Sequence, residues 1–165
     1  MKVGIIGSGG REHALCVSLE KSKIIEKIYC VPGNAGTNQI AENVSIDISD
    51  FKKLTSFVKE KKIEIVLVGP EKPLVDGIVD YLENENVKVF GPNKFASQLE
   101  GSKIFTKKIC KKYEIPTAKF EIYNDKEKAH SFFKNCNFPV VIKADGLAAG
   151  KGVYICEKED EAKQA

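Results

Sequence analysis

Met1-Lys2-Val3-Gly4-Ile5-Ile6-Gly7-Ser8-Gly9-Gly10-Arg11-Glu12-His13-Ala14 is the stretch that decides the fold. Residues 3–6 are a short apolar run of the kind buried on both faces of a sheet. The glycines after Ile6 end the run, and residues 12–22 read as a helix. Strand, glycine turn and helix open an α/β unit, and the pattern repeats outward from it. Residues 27–31 are a strand broken by Pro32-Gly33-Asn34-Ala35-Gly36, and residues 44–46 are a short strand. Ser49 or Asp50 caps a helix that reaches Lys61, with Phe51, Leu54, Phe57 and Val58 at helical spacing. Residues 63–68 are a strand closed by Gly69-Pro70, residues 74–83 a helix, and residues 87–90 a strand ended by Gly91-Pro92. This alternation predicts an α/β fold with an open parallel sheet, covered on both faces and joined by right-handed crossovers.

The character changes after Gly91. Turn signals at Gly91-Pro92 and Glu114-Ile115-Pro116 bracket helical segments, the second with Ile104, Phe105, Ile109 and Cys110 on one apolar side. Beyond them the spacing predicts a strand over 117–123, a helix over 125–134, a strand over 139–143, a glycine-rich loop over 145–152, a returning strand over 153–156 and the start of a helix over 158–165. The last strand–loop–strand is a hairpin, not a crossover. The expected organisation is a first domain over 1–100, a helical bridge over 101–116 and part of a second domain over 117–165. That last part is expected to expose sheet edges and apolar surface.

Composition narrows the function. The chain has 165 residues, 42% hydrophobic and 30% charged, which is ordinary globular usage and excludes wholesale disorder, collagen and coiled coil. No apolar run is long enough for a membrane span, and the start of the chain lacks a signal-peptide pattern, so a cytoplasmic protein is expected. The net charge of +3 is too small to argue for nucleic acid or a membrane surface. It is unevenly spread, −1 over residues 1–100 and +4 over residues 101–165, which suits an anionic small ligand in the second part. The five cysteines, Cys16, Cys30, Cys110, Cys136 and Cys156, are widely spaced with no CxxC and read as reduced, mostly buried thiols. With only His13 and His130 beside them, no metal site is expected within these residues.

Four loops carry the candidate chemistry. Gly7-Ser8-Gly9-Gly10 follows a strand and opens a helix, so backbone N–H groups and the helix N-terminus offer an anion site. A dinucleotide-binding redox module is one reading of this loop. Its third glycine is missing, however, and the second strand ends Cys30-Val31-Pro32-Gly33 with no acid for an adenine ribose. Pro32-Gly33-Asn34-Ala35-Gly36-Thr37 and Gly69-Pro70-Glu71-Lys72-Pro73-Leu74 also follow parallel strands and converge on the same carboxyl edge, with Glu71 placed to grip a sugar diol. Lys143-Ala144-Asp145-Gly146-Leu147-Ala148-Ala149-Gly150-Lys151-Gly152 joins two antiparallel strands. Its small residues can fold over phosphates while Lys143 and Lys151 supply charge. The spacing is not that of a P-loop.

These motifs taken together resemble a known family. The lysine–glycine hairpin is similar to the phosphate-covering hairpin of ATP-grasp ligases. Leu99-Glu100-Gly101-Ser102-Lys103-Ile104-Phe105-Thr106-Lys107 is similar to the segment that brings their other nucleotide-binding lysine. With the motifs at 7–14, 32–37, 69–74 and 143–152, the chain resembles the glycinamide ribonucleotide synthetase (phosphoribosylamine–glycine ligase) family from Met1 onward, in order. The resemblance implies a Rossmann-like, pre-ATP-grasp domain followed by the start of an ATP-grasp domain. It implies ATP, with Mg2+ or Mn2+, and the substrates glycine and 5-phosphoribosylamine in purine synthesis. Glycine would be activated as glycyl phosphate and then attacked by the sugar amine. By the same resemblance Lys103 and Lys143 meet ATP phosphates, with Lys151 and the loop glycines Gly146, Gly150 and Gly152 covering them. Gly9, Gly10, Arg11, Asn34 and Gly36 lie by the phosphoribosylamine, and Glu71 accepts from its ribose hydroxyls. His13 is read as packing or loop support, and Lys107 as helix surface. Family members are more than twice this long, with the acidic metal ligands and the hinge to adenine further along. The expectation is therefore a piece that does not ligate alone, a non-catalytic anion-binding module being the other reading of its length. Oligomeric state is left open.

Overall fold

A computed structural model describes residues 1–148 and 150–165. The chain divides into two compact units, Met1–Ser97 and Gln98–Ala165. In the first, strands β1 (Lys2–Gly7), β2 (Lys27–Pro32), β3 (Glu42–Asn43), β4 (Ile65–Val68) and β5 (Val89–Phe90) form one parallel sheet in the order β3-β2-β1-β4-β5. Helices α1 (Gly10–Glu20), α2 (Phe51–Lys61), α3 (Glu71–Asp76) and α4 (Ile78–Asn84) connect the strands.

The period-2 alternation of the strands sorts the core into two layers. Val3 and Ile5 of β1, with Ile28 and Cys30 of β2, are buried against Cys16 of α1. Ile6, Tyr29, Val31, Val66 and Val68 point the other way, onto Leu54, Phe57 and Val58 of α2 and Ile78, Val79 and Leu82 of α4. Both sheet faces are therefore covered, as the uniformly apolar strands require. Each such side chain taken from water contributes roughly 1.5–3 kcal/mol.

Several local expectations are corrected. The short strand lies at Glu42–Asn43 rather than 44–46, because Asn43 is pinned by Thr37 and Asn34 and so sets the register against Cys30. Val44 N–H still reaches Cys30 O at 2.9 Å. Of the two caps expected for α2, Asp50 is the one in place, accepting from Lys53 N–H at 2.9 Å, so that expectation holds. The single helix expected over 74–83 is two, α3 and α4, broken at Gly77, whose φ of +100° admits no continuing helix. The first of them starts earlier, at Glu71, since Pro70 and Pro73 both lie where an α-helix lacks intrahelical N–H bonds.

The second unit holds α5 (Gln98–Gly101), α6 (Lys103–Lys112), α7 (Lys126–Phe133), the antiparallel pair β6 (Val140–Lys143) and β7 (Val153–Cys156), and α8 (Glu159–Gln164). Its core is small: Phe133, Cys156 and Ala162, backed by Ala129, Phe138, Val140 and Ile142. The opposite face of the hairpin leaves Val141, Val153 and Ile155 exposed. Residues 117–123, expected as a strand, form none. An extended segment becomes a strand only beside a partner, and none is adjacent among the described residues. The segment is held instead by Lys107 of α6, whose Nζ donates to Thr117 Oγ1 at 2.5 Å and Ala118 O at 3.1 Å and lies over the Phe120 ring.

Candidate functional site

The loops after β1, β2 and β4 meet at the carboxyl edge of the first unit's sheet. They are stitched together by side chains more than by backbone. Glu12, in the first turn of α1, is 4% exposed. Its Oε2 accepts from Gly9 N–H at 2.6 Å. A Cβ on Gly7, whose φ is +129°, would stand 2.6 Å from the Glu12 carboxyl carbon, and one on Gly69 would overlap Glu12 Oε1. These two glycines make room for a buried carboxylate beneath the first and third loops. The Gly9 N–H that sequence logic offers to an anion is already bonded inward.

Asn34 joins the second loop to the first. Its Oδ1 accepts from Gly36 N–H (2.8 Å) and Thr37 N–H (3.0 Å), while its Nδ2 donates to Ser8 O (2.9 Å) and Gly9 O (3.2 Å). Fully buried Thr37 then takes Asn34 N–H on its hydroxyl oxygen at 2.7 Å. Gly36 lies on the His13 ring, where a Cβ would approach to 2.9 Å, so His13 supports the loop. Arg11 reaches across to the third loop. Its Nη1 donates to Gly69 O and its Nη2 to Glu71 Oε1 at 2.8 Å. The Arg11 guanidinium, with Glu71's own N–H, holds the Glu71 carboxyl below its ordinary value against the effect of burial. Both side chains of this pair are largely exposed, so its own stabilisation is small.

Between these loops opens a cleft of about 350 Å³, walled by residues 7–12, Ile48, Pro70 and Glu71. Gly10 begins α1, where no earlier helical carbonyl exists for its N–H, and a Cβ there would meet nothing within 4 Å. The positive end of the α1 dipole, the Gly10 N–H and the Arg11 guanidinium together favour an anion. A groove of about 320 Å³ between Val58, Lys62, Ile63 and residues 86–88 lies at the amino ends of β4 and β5, away from the three loops. The thiols offer no nucleophile here. Burial pushes Cys30 up to about 12 and raises Cys16 as well.

In the second unit the glycine-rich loop is fixed at its two ends. Ala144 N–H donates to Gly152 O at 2.8 Å and Lys151 N–H to Ala148 O at 2.8 Å. Lys103, at the start of α6, donates from Nζ to Gly146 O at 2.8 Å, so the two segments expected to share a nucleotide do touch. Lys143 and Lys151 are exposed on this loop and strand. Gly146 and Gly150 have positive φ and open space where a Cβ would be. Ala149 of the loop lies outside the described residues. Among the described residues, no group of three or more His, Cys, Asp or Glu side chains is disposed to hold a metal.

Sequence reasoning missed Glu12, Thr37, Asn43, Ile48, Ser102 and Asp145. Glu12 was within reach: a glutamate three residues after a helix cap is the capping-box spacing. Ser102 and Asp145 act on each other across more than forty residues, which no local pattern encodes.

Comparison with known proteins adds to this geometry. The family model described as phosphoribosylglycinamide synthetase, N domain, matches residues 1–100, and that of its ATP-grasp (A) domain matches residues 101–165. A phosphoribosylamine–glycine ligase of Caldanaerobacter subterraneus subsp. tengcongensis is 52% identical over 164 residues, covering 99% of this chain and 39% of that protein. One from Mesorhizobium japonicum is 52% identical over 165 residues, covering 100% of this chain and 39% of its own length. The crystal structure of the Thermotoga maritima phosphoribosylamine–glycine ligase superposes with a TM-score of 0.77 at 36% identity, over 99% of this chain and 38% of that one. The chain thus spans about 39% of the length of the curated relatives it matches.

Proposed function

Because the chain belongs to the phosphoribosylglycinamide synthetase family, we propose that the native protein carrying it joins glycine to 5-phosphoribosylamine, with ATP converted to ADP and phosphate, in purine synthesis. The observation that carries this reading is the pairing of two phosphate-suited sites on the two matched segments. One is the Gly10–Arg11 cleft of the first unit and the other is the lysine–glycine loop of the second.

In this reading the first unit binds the phosphoribosylamine. Gly10 N–H and Arg11 take its phosphate at the α1 N-terminus. Glu71 accepts from a ribose hydroxyl and Gly9 shapes the wall, while Asn34 and Gly36, expected beside the sugar, do not line the cleft and act by fastening the neighbouring loop to Ser8 and Gly9. The second unit grips the nucleotide. Lys103 and Lys143 neutralise its phosphates, and Gly146, Gly150, Lys151 and Gly152 fold over them. A glycine carboxylate oxygen attacks the γ-phosphorus, ADP leaves, and the resulting acyl phosphate is attacked by the sugar amine, which expels phosphate. Lysines serve such a transfer by positioning and charge neutralisation, and a covering loop protects the acyl phosphate from water. ATP-grasp chemistry uses a divalent cation, Mg2+ or Mn2+. Among the described residues no group of side chains is disposed to hold it.

Among the described residues no helix is long and apolar enough to cross a membrane, in keeping with a cytoplasmic enzyme. The redox alternative is disfavoured by both family matches. The test is phosphate release by the native protein given ATP, glycine and 5-phosphoribosylamine. Release that requires all three is expected; no release above the rate without protein overturns the reading.

A further inference from the structure

Asp145 opens the glycine-rich loop yet lies on the first turn of α6. Its Oδ1 accepts from Ile104 N–H at 3.1 Å, and both oxygens lie 3.1 Å from the Ser102 hydroxyl. Ser102 Oγ in turn accepts from Phe105 N–H at 3.0 Å, capping the helix. A carboxylate has about four acceptor positions, and here two donors of the α6 N-terminus share its two oxygens. Burial alone would push the Asp145 carboxyl up. The Ile104 N–H and the Ser102 hydroxyl, helped by the nearby backbone of residues 146 and 103, outweigh burial and hold it below its ordinary value. One residue along, Lys103 commits one of its three ammonium protons to Gly146 O.

We propose that Asp145 is a positioning residue: it clamps the first turn of α6 to the start of the loop, so that Lys103 and the loop N–H groups meet nucleotide phosphates as one preformed unit. The inference rests on reading Lys103 and this loop as the nucleotide site. The chemistry explains why the residue is an aspartate. A carboxylate accepts on either oxygen, whereas an asparagine of the same shape would turn its NH2 toward the Ile104 N–H or the Ser102 hydroxyl. Preorganisation matters because a lysine displaced by an ångström no longer matches the phosphate it neutralises.

The test compares D145N and S102A with wild type in the native protein, by calorimetric titration with ADP and by steady-state kinetics. D145N is expected to weaken ADP binding roughly tenfold and S102A a few-fold, since each loses hydrogen bonds to a charged group. KM for ATP should rise while KM for glycine and for phosphoribosylamine holds, a split that a general loss of folding does not give. Unchanged ADP affinity in D145N overturns the inference whatever the ligase activity. If D145N does not fold, S102A decides, and unchanged affinity there also overturns it. A wild type that binds ADP but releases no phosphate removes the proposed ligation, while weakened ADP binding by D145N would still support the clamp. A wild type that binds no nucleotide overturns both.

Discussion

The two phosphate-suited loops of this chain are built in opposite ways. At the first unit's rim, three loops are fastened to one another by buried or shared side chains: Glu12 under Gly7 and Gly69, Asn34 between two loops, and Arg11 across to a third. Among the described residues the second unit's loop has no buried polar side chain of that kind, and it is held through Asp145, Gly146 and the Ala144–Gly152 and Lys151–Ala148 pairs. The cores beneath them differ in the same sense, two full layers against one small cluster. Under the proposed function, a rim that recognises a substrate gains from being rigid, and a loop that folds over a nucleotide gains from being tied only where its lysines need aim.

That contrast is open to attack at the glycines first, where the largest effect is expected. Gly7→Ala or Gly69→Ala forces a methyl into Glu12, and Gly7 adds an unfavourable φ. Each should cost about 3 kcal/mol or more of first-unit stability. Gly150→Ala, with a φ of +78° and open space around it, should cost only about 1 kcal/mol. Urea unfolding followed by circular dichroism measures the difference, and equal losses would erase the contrast. Next comes Asn34→Ala, which removes two hydrogen bonds to the first loop and two within its own loop. A loss of about 2 kcal/mol is expected in the same assay.

Acid titration sharpens the other side of the comparison. The Asp145 carboxyl has its pKa lowered in the folded chain. Its clamp therefore contributes stability that is fully present above the unfolded value of about 3.9 and is lost as pH falls through the lower folded value. The Ile104 amide resonance, followed from pH 7 downward, should titrate with a midpoint below about 3.9. A midpoint above it would mean that the Ile104 N–H and the Ser102 hydroxyl do not hold the carboxylate. The smallest effect on stability is expected from Gly10→Ala. Open space and a helical position predict no loss, and up to about 1 kcal/mol of gain. Gly10 lines the cleft, and under the proposed function the added methyl should weaken sugar-phosphate binding about tenfold by titration calorimetry, the order of magnitude of one lost charge-assisted N–H contact.

The legible parts of the structure were those written in local periods. β1, β2 and α2 followed from apolar runs and a 3.6-residue repeat, and the parallel sheet followed from their alternation. Residues 117–123 read as a strand because their composition suits one, but a strand exists only with a neighbour, and composition does not supply it. The three rim loops were found from glycine and proline, whereas the residues that fasten them were not all seen. Asn34 and Glu71 read as ligand contacts, and their sequence neighbourhoods do not reveal that one ties loops together and the other is held by Arg11. Asp145 read as part of a glycine loop, since its partners at 102–104 are distant in the chain.

The most direct measurement of the central claim is a titration of the 15N-labelled chain with ribose 5-phosphate, the stable counterpart of the proposed substrate. The account predicts saturable shifts of the Gly10 and Glu71 amides with the Gly146 and Gly150 amides unmoved. No shift at Gly10 up to millimolar ligand, or saturable shifts there with NADH instead, would contradict it.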